Sequence, residues 1–439
     1  MQKEILAVLV YLAAAMSAVA ADLPALATDA AYAPVDPAEA ALGQVLFYDP
    51  ILSGNREVSC ATCHHPRFGT SDGLSLSLGD GGIGLGPDRV ADPKNMPEAR
   101  VPRNAPALFN LGALEFTHLF DDGRIEVDLA RPSGFRTPLD DDMVAGFASL
   151  LSAQTMFPVL SADEMAGHVQ ENEIARAVRQ GILTGKGGAW DLIARRVATV
   201  PGYAARFPQV YPHISGPEDI AFTDISNAIA AFMALEWRSD TSPFDAYLRG
   251  TSALPAPAMT GLNLFYGRAG CSTCHSGMFQ TDHGFHAMGA PQIGPGKAAK
   301  FEFHSRDEGR FRVTGRNEDF FAFRTPSLRN VALTAPYGHA GAHADLAGFI
   351  AAHADPFAGL HNYDLTQAIL PKLPFDDAII MQDTEEVAAI AAAAKWSVAL
   401  SDAEITALVA FLDTLTDPAA LKGRLGIPAT VPSGLPVAR

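Results

Sequence analysis

Two five-residue stretches, "CATCH" at residues 60–64 and "CSTCH" at residues 271–275, contain every cysteine of the chain. C-x-x-C-H is the attachment signature of a c-type haem. Two thioether links fix the porphyrin edge, and the adjacent histidine swings under the ring to become a ligand of the iron. A thioredoxin-like redox pair or a zinc site could use some of these residues, but the redox pair explains neither trailing histidine. The spacing therefore implies two covalently bound haems. Cys60, Cys63 and His64 hold the first, and Cys271, Cys274 and His275 hold the second.

The chain has 439 residues, of which 48% are hydrophobic and 18% charged. That is enough apolar material for two or three domains with proper cores, and it argues against extensive disorder. The formal charge of −17 disfavours nucleic acid as a partner and admits a basic protein. At the N-terminus, Lys3 precedes an apolar run that ends in Ala18-Val19-Ala20. This pattern predicts a signal peptide over residues 1–20, cleaved after Ala20, and hence a periplasmic protein. No later apolar run is long enough to span a bilayer, so no integral membrane segment is expected after cleavage.

The surroundings of the two motifs repeat. "GQVLFYDP" from Gly43 precedes the first and "GLNLFYGR" from Gly261 precedes the second, while "PALFN" (106–110) is echoed downstream by "PSLRN" (326–330). The repeat predicts a mainly α fold of two tandem cytochrome-c-like domains, each with one haem. The expected boundaries are 21–215 and 216–415, with a C-terminal tail at 416–439. The Gly- and Pro-rich stretches after each motif are expected to be irregular and to wrap the haems. "SDAEITALVAFLDTL" places Ser401 and Glu404 as a capping box, with Ile405, Leu408, Val409 and Leu412 on one helix face, and reads as a packing helix.

Together with these motifs, "RNAPALFN", "DDGR", "AQTMFPVLSADEM" and "FRTPSLRNVALTAPYGHAG" make the chain resemble the bacterial dihaem cytochrome c peroxidase family, which includes the MauG proteins. The resemblance covers nearly all of the mature chain. It implies that the N-terminal haem is open to hydrogen peroxide, and that the C-terminal haem is six-coordinate and passes or stores electrons. It places the distal catalytic pair at Gln154 and Glu164. A base of this kind takes a proton from peroxide and delivers it to the leaving oxygen. Ser161 and Glu164 are also spaced as a capping box, and a polar residue such as Gln154 is common on a solvated helix face. The family's calcium ion, one per chain, would be held by Asn104, Thr334 and Pro336. From the residues alone, Asn104 is simply a turn residue.

Two departures from the family pattern stand out. A Trp usually precedes D-G-R as an electron relay; here Asp121 does, with Phe120 before it, and Trp190, Trp237 and Trp396 match no relay position. No histidine lies between His65 and His118, so the N-terminal haem is expected to be five-coordinate or water-bound. The second departure is at the distal ligand position of the second haem, where peroxidases place Met and MauG places Tyr. Counting onward from "TAPYGHAG" reaches His353. In "DLAGFIAAHADP" (345–356), Leu346, Phe349, Ile350 and His353 share one helix face, so His353 reads either as a core histidine or as the sixth ligand. Met278, Met288, His283 and His286 are rival ligands. Relative to His/Met ligation, two imidazoles lower the reduction potential.

The resemblance implies a periplasmic enzyme that reduces hydrogen peroxide to water with electrons from a small cytochrome c or cupredoxin. One alternative is a MauG-like oxidase that modifies an amino-acid side chain of a partner protein. The other, from a different class, is a non-catalytic dihaem electron carrier. A homodimer is compatible with each.

Overall fold

The computed structural model describes residues 23–297 and 304–439; the expected signal peptide lies outside them. The fold is rich in helix and poor in sheet. Among the described residues the strands form three small antiparallel sheets, of two, three and two strands. Long irregular segments follow both C-x-x-C-H motifs, as their glycines and prolines require.

Each half is organised on one close helix crossing. The helix Pro37–Tyr48 packs on Phe222–Glu236, and the helix Ala256–Phe265 packs on Asp402–Asp413. In both crossings the glycine of the repeated G-x-x-L-F-Y stretch is the contact point. A Cβ on Gly43 would stand 1.7 Å from the carbonyl oxygen of Ala228, and one on Gly261 would stand 1.9 Å from that of Ala407. Only a residue without a side chain lets the backbones approach so closely. The aromatic pair that follows then packs alike in both halves. Phe47 and Tyr48 meet Phe232 at 5.3 and 6.1 Å between ring centres, and Phe265 and Tyr266 meet Phe411 at 5.1 and 6.0 Å.

The second repeated stretch closes each crossing. Asn110 and Asn330 are buried, and both adopt left-handed backbone, with φ of 61° and 63°. Asparagine tolerates this conformation better than most residues. The Asn110 N–H donates to the carbonyl of Trp237 and that of Asn330 to Leu415, each just past the end of the crossing helix. Their side chains accept from the N–H groups of Ser239 and Asp417 respectively, at 2.7 Å each.

The expected boundary at 215 falls before the helix Phe222–Glu236, which packs on the N-terminal helix Pro37–Tyr48. Phe222–Glu236 is the N-terminal counterpart of Asp402–Asp413 and buries Phe222, Ile225, Ile229 and Phe232 in the N-terminal core. The tail also belongs to that core, through Ala420 and Val431. Ser433 donates its hydroxyl to Asp49 at 2.6 Å, and Gln44 donates to the carbonyl of Leu425 at 2.9 Å. The helix Asp402–Asp413 carries the expected Ser401–Glu404 capping box. Its buried face is Ala407, Leu408, Phe411 and Leu412, rotated slightly from the expected one because Phe411 enters the aromatic stack.

Buried ion pairs join the two halves. Arg100 binds Asp377 bidentately at 2.8 and 2.9 Å. Arg103 lies between two carboxylates, 2.8 Å from Asp122 and 2.7 and 2.8 Å from Asp307. Arg310 returns the connection by donating to Glu126 at 2.7 Å. Burial alone would raise the Asp122 and Asp307 carboxyls, but Arg103 acts on both and Arg124 adds to Asp122, so both fall well below the ordinary range, Asp307 to about 2.

Removing the cation with Arg103→Leu leaves the buried Asp307 carboxylate without a cation and Asp122 with Arg124 alone, and a loss of about 3–5 kcal/mol is expected in urea unfolding. Because the folded carboxyls titrate below their unfolded values, their contribution is complete above about pH 4. It disappears as the pH falls through about 2 and below. The wild type should therefore lose stability on acidification more steeply than Arg103→Leu.

Candidate haem sites

The first C-x-x-C-H motif forms a short helical turn, Cys60–Cys63, opened by Ser59 and Thr62 in a reciprocal cap. Its histidine is oriented from behind: His64 Nδ1 lies 3.0 Å from the carbonyl oxygen of Thr70. Such a contact makes Nδ1 the protonated nitrogen and leaves the Nε2 lone pair free for a metal. Burial lowers the His64 pKa, which favours the neutral, ligating form. Burial also pushes the thiols of Cys60 and Cys63 up to about 12. Reactive or zinc-binding cysteines need the opposite shift.

Cys60, Cys63 and His64 open onto one cavity. Gln154 and Glu164 both lie on its wall. The helix Leu150–Thr155, capped by Ser149, carries Gln154 near its C-terminal end. Glu164 sits in a wide π-type turn, Ala162–Ala166. The Ser161–Glu164 capping bond that the spacing allowed does not form there, because the turn replaces a regular helix start. Among the described residues lining the cavity, His64 is the one histidine. His65 is turned away, with its Nδ1 accepting from the Arg67 N–H at 3.2 Å.

The cavity also contains Lys297, which the sequence did not single out. Burial first, and then the neighbouring Arg124, bring its ammonium down to about 8. It arrives from the Gly/Pro-rich stretch after the second motif, more than two hundred residues from Cys60, and no local pattern marks it.

At the second motif the tautomer device is repeated, with His275 Nδ1 at 3.1 Å from the carbonyl oxygen of Gln280. The helix Leu346–Ala354 is capped by Asp345, whose side chain accepts from the Gly348 N–H. It brings His353 opposite His275, with ring centres 6.5 Å apart. Two imidazoles binding one metal from opposite sides, at about 2.0 Å each, have ring centres roughly 6.3 Å apart. Burial, and then His275 facing it, push His353 down to about 3, so it is neutral at physiological pH. Two of the rival ligands have other partners: His283 Nε2 lies 2.9 Å from Glu115, and His286 Nε2 lies 2.8 Å from Asp282. Both sites therefore fit a covalently held haem in their donor sets, and the first also in its cavity.

The tryptophans do not stand between the sites. Trp190 and Trp237 belong to the N-terminal core, and Trp396 lies 6.0 Å from His353. Phe120 and Asp121 line the first cavity instead. The Arg324 N–H donates to the Asp121 carbonyl at 2.7 Å, and the next residue, Thr325, accepts from the Thr281 hydroxyl at 2.7 Å, six residues after His275. Of the expected calcium residues, Asn104 contacts the C-terminal half by donating its N–H to His339 at 2.9 Å. Its Nδ2 donates to Leu74 at 2.7 Å, which leaves Oδ1 as the candidate ligand atom. Thr334 and Pro336 flank Ala335 on the turn leading to His339.

A family model described as "Di-haem cytochrome c peroxidase" matches residues 37–253. The methylamine utilization protein MauG of Methylorubrum extorquens is 31% identical over 70% of the chain and 66% of its own length. The cytochrome c551 peroxidase of Pseudomonas aeruginosa is 29% identical over 74% of each. Among solved structures, a MauG-like protein associated with microbial copper homeostasis aligns over 92% of this chain and 95% of its own. The TM-score there is 0.57, at 25% identity.

Proposed function

The chain belongs to the di-haem cytochrome c peroxidase family, a family of oxidoreductases, and from this premise we propose that it reduces hydrogen peroxide to water. The observation that carries the reading is the single cavity that brings His64, Gln154 and Glu164 together. Cys60, Cys63 and His64 would hold a haem at this cavity, and its iron would supply the two electrons that the reduction of peroxide needs. Glu164 would act as the base that takes a proton from one peroxide oxygen and gives it to the other, which leaves as water. Gln154 holds the peroxide in line by hydrogen bonding. The apolar remainder of the wall, including Leu52, Val58 and Phe222, excludes competing water.

Cys271, Cys274, His275 and His353 would hold the second haem, which would take electrons one at a time from a small cytochrome c or cupredoxin. The hydrogen-bonded stretch Thr281–Thr325–Arg324–Asp121 would connect the two sites. One calcium ion at Asn104, Thr334 and Pro336 would stiffen the junction between the halves. The place of action is the periplasm. Among the described residues no helix is long and apolar enough to cross a membrane.

One observation favours a MauG-like oxidase acting on a partner protein. His353 stands 6.5 Å from His275 between ring centres, and a second imidazole in place of a thioether would lower the potential of a haem held there, so that it would give up an electron more readily than store one. Adding peroxide to the fully ferric protein separates the readings. Rapid turnover with reduced cytochrome c supports the peroxidase. A long-lived spectral change that resists cytochrome c supports the oxidase, and no reaction leaves an electron carrier.

Glu164→Gln should slow the reaction with peroxide by about 10²–10⁴-fold while leaving the resting absorption spectrum in place. A wild-type rate in that variant would remove Glu164 from the chemistry. His353→Met should raise the potential of the second haem and change its low-spin spectrum. If both stay unchanged in redox titration, His353 is a core residue.

A further inference from the structure

Away from both haem motifs, a ring nitrogen of His168 and one carboxylate oxygen from each of Asp80 and Glu171 lie within 4.8 Å of one another. Asp80 is 2% exposed, and Glu171 lies at the surface. The histidine is held as a metal ligand is usually held. Its Nδ1 is 3.3 Å from a carboxylate oxygen of Glu98, while its Nε2 is shielded from solvent and has no hydrogen-bond partner. A buried ring nitrogen without a partner is costly unless something binds it. A carboxylate on the opposite nitrogen fixes the tautomer and raises the basicity of the free one.

The surrounding charge is unbalanced in the same direction. Asn55 uses one amide nitrogen to bridge the two carboxylates, at 3.0 Å from Asp80 and 2.7 Å from Glu171. Asn95 donates a further bond to Asp80 at 3.1 Å, so the side-chain donors on this carboxylate are neutral amides. The guanidinium of Arg89 spends its nitrogens on the carbonyls of Leu78, Gly79 and Gly84 instead. A divalent cation would satisfy the His168 nitrogen and offset the clustered negative charge together.

We propose that Asp80, His168 and Glu171 bind one divalent transition-metal ion of the zinc type, oriented through Glu98 and separate from both haems and from the Asn104 position. Two carboxylates and an imidazole form a mixed N/O donor set that suits zinc and leaves a fourth position for water. The ion would tie together two segments that already touch. The Asp80 N–H donates to the Asp163 carbonyl at 3.2 Å, and a Cβ on Gly79 would meet the Glu164 backbone. His168 and Glu171 follow directly after the turn that bears Glu164. Binding would thus fix the distal wall of the first haem cavity from outside, and the site stands whether or not the peroxidase reading holds.

Calorimetric titration of the untagged holoprotein with Zn²⁺ tests this. One Zn²⁺ per chain is expected, with affinity reduced about 100-fold or more in His168→Ala and Asp80→Asn, and about 10–100-fold in Glu98→Gln. Excess Ca²⁺ should leave the titration unchanged, since an imidazole ligand disfavours calcium. The Glu98 side chain is 66% exposed, so Glu98→Gln will fold even if a buried substitution does not. Absence of saturable Zn²⁺ uptake, competition by Ca²⁺, or wild-type affinity in Glu98→Gln would overturn the assignment.

Discussion

Both halves depend on one steric constraint: two helix backbones meet where neither can tolerate a side chain. Gly43 against Ala228 and Gly261 against Ala407 set the distance between each pair of crossing helices. That distance determines where the following Phe and Tyr rings lie. Those rings in turn fix the start of the chain that runs into each C-x-x-C-H motif. A haem needs its two thioether positions and its histidine held in one geometry, and the crossing provides the rigid floor beneath them. The left-handed asparagines then fasten the far end of each crossing helix to the loop that returns past the haem.

The halves share this frame and diverge in what surrounds the histidine of each motif. In the first, helix Leu150–Thr155 and the π-type turn bring an amide and a carboxylate into an open cavity. In the second, helix Leu346–Ala354 brings an imidazole close enough to face the proximal one directly. An open, polar distal side suits an incoming small molecule, and a filled one suits outer-sphere electron transfer. The buried Arg100–Asp377 and Arg103–Asp307 pairs tie the two halves together, because breaking either would leave a carboxylate in the interior without its cation.

What could be read from the sequence follows from how locally each feature is encoded. The haem motifs, the repeated G-x-x-L-F-Y and the capped helix at Asp402–Asp413 are contiguous patterns, and each forms the local structure that its spacing implies. The partner of Gly43 was not legible, since Ala228 is one alanine in an apolar helix and only the crossing identifies it. Glu164 carried two readings because a capping box and a cavity-facing carboxylate share one spacing, and a π-type turn, which no simple periodicity predicts, separated them. Lys297 reaches its cavity through a distant loop, and Asp80, Glu98 and His168 converge from three separate segments.

The tail has a consequence for assembly. Ala420, Val431 and Ser433 complete the N-terminal core, where Ser433 and Tyr203 share the buried carboxylate of Asp49. Residues far apart in sequence thus close the same half on one buried carboxylate, with Asp49 from the first helix pair, Tyr203 from the middle of the chain and Ser433 from the tail. Assembly of the first half is therefore a long-range event, although its haem motif is a five-residue one.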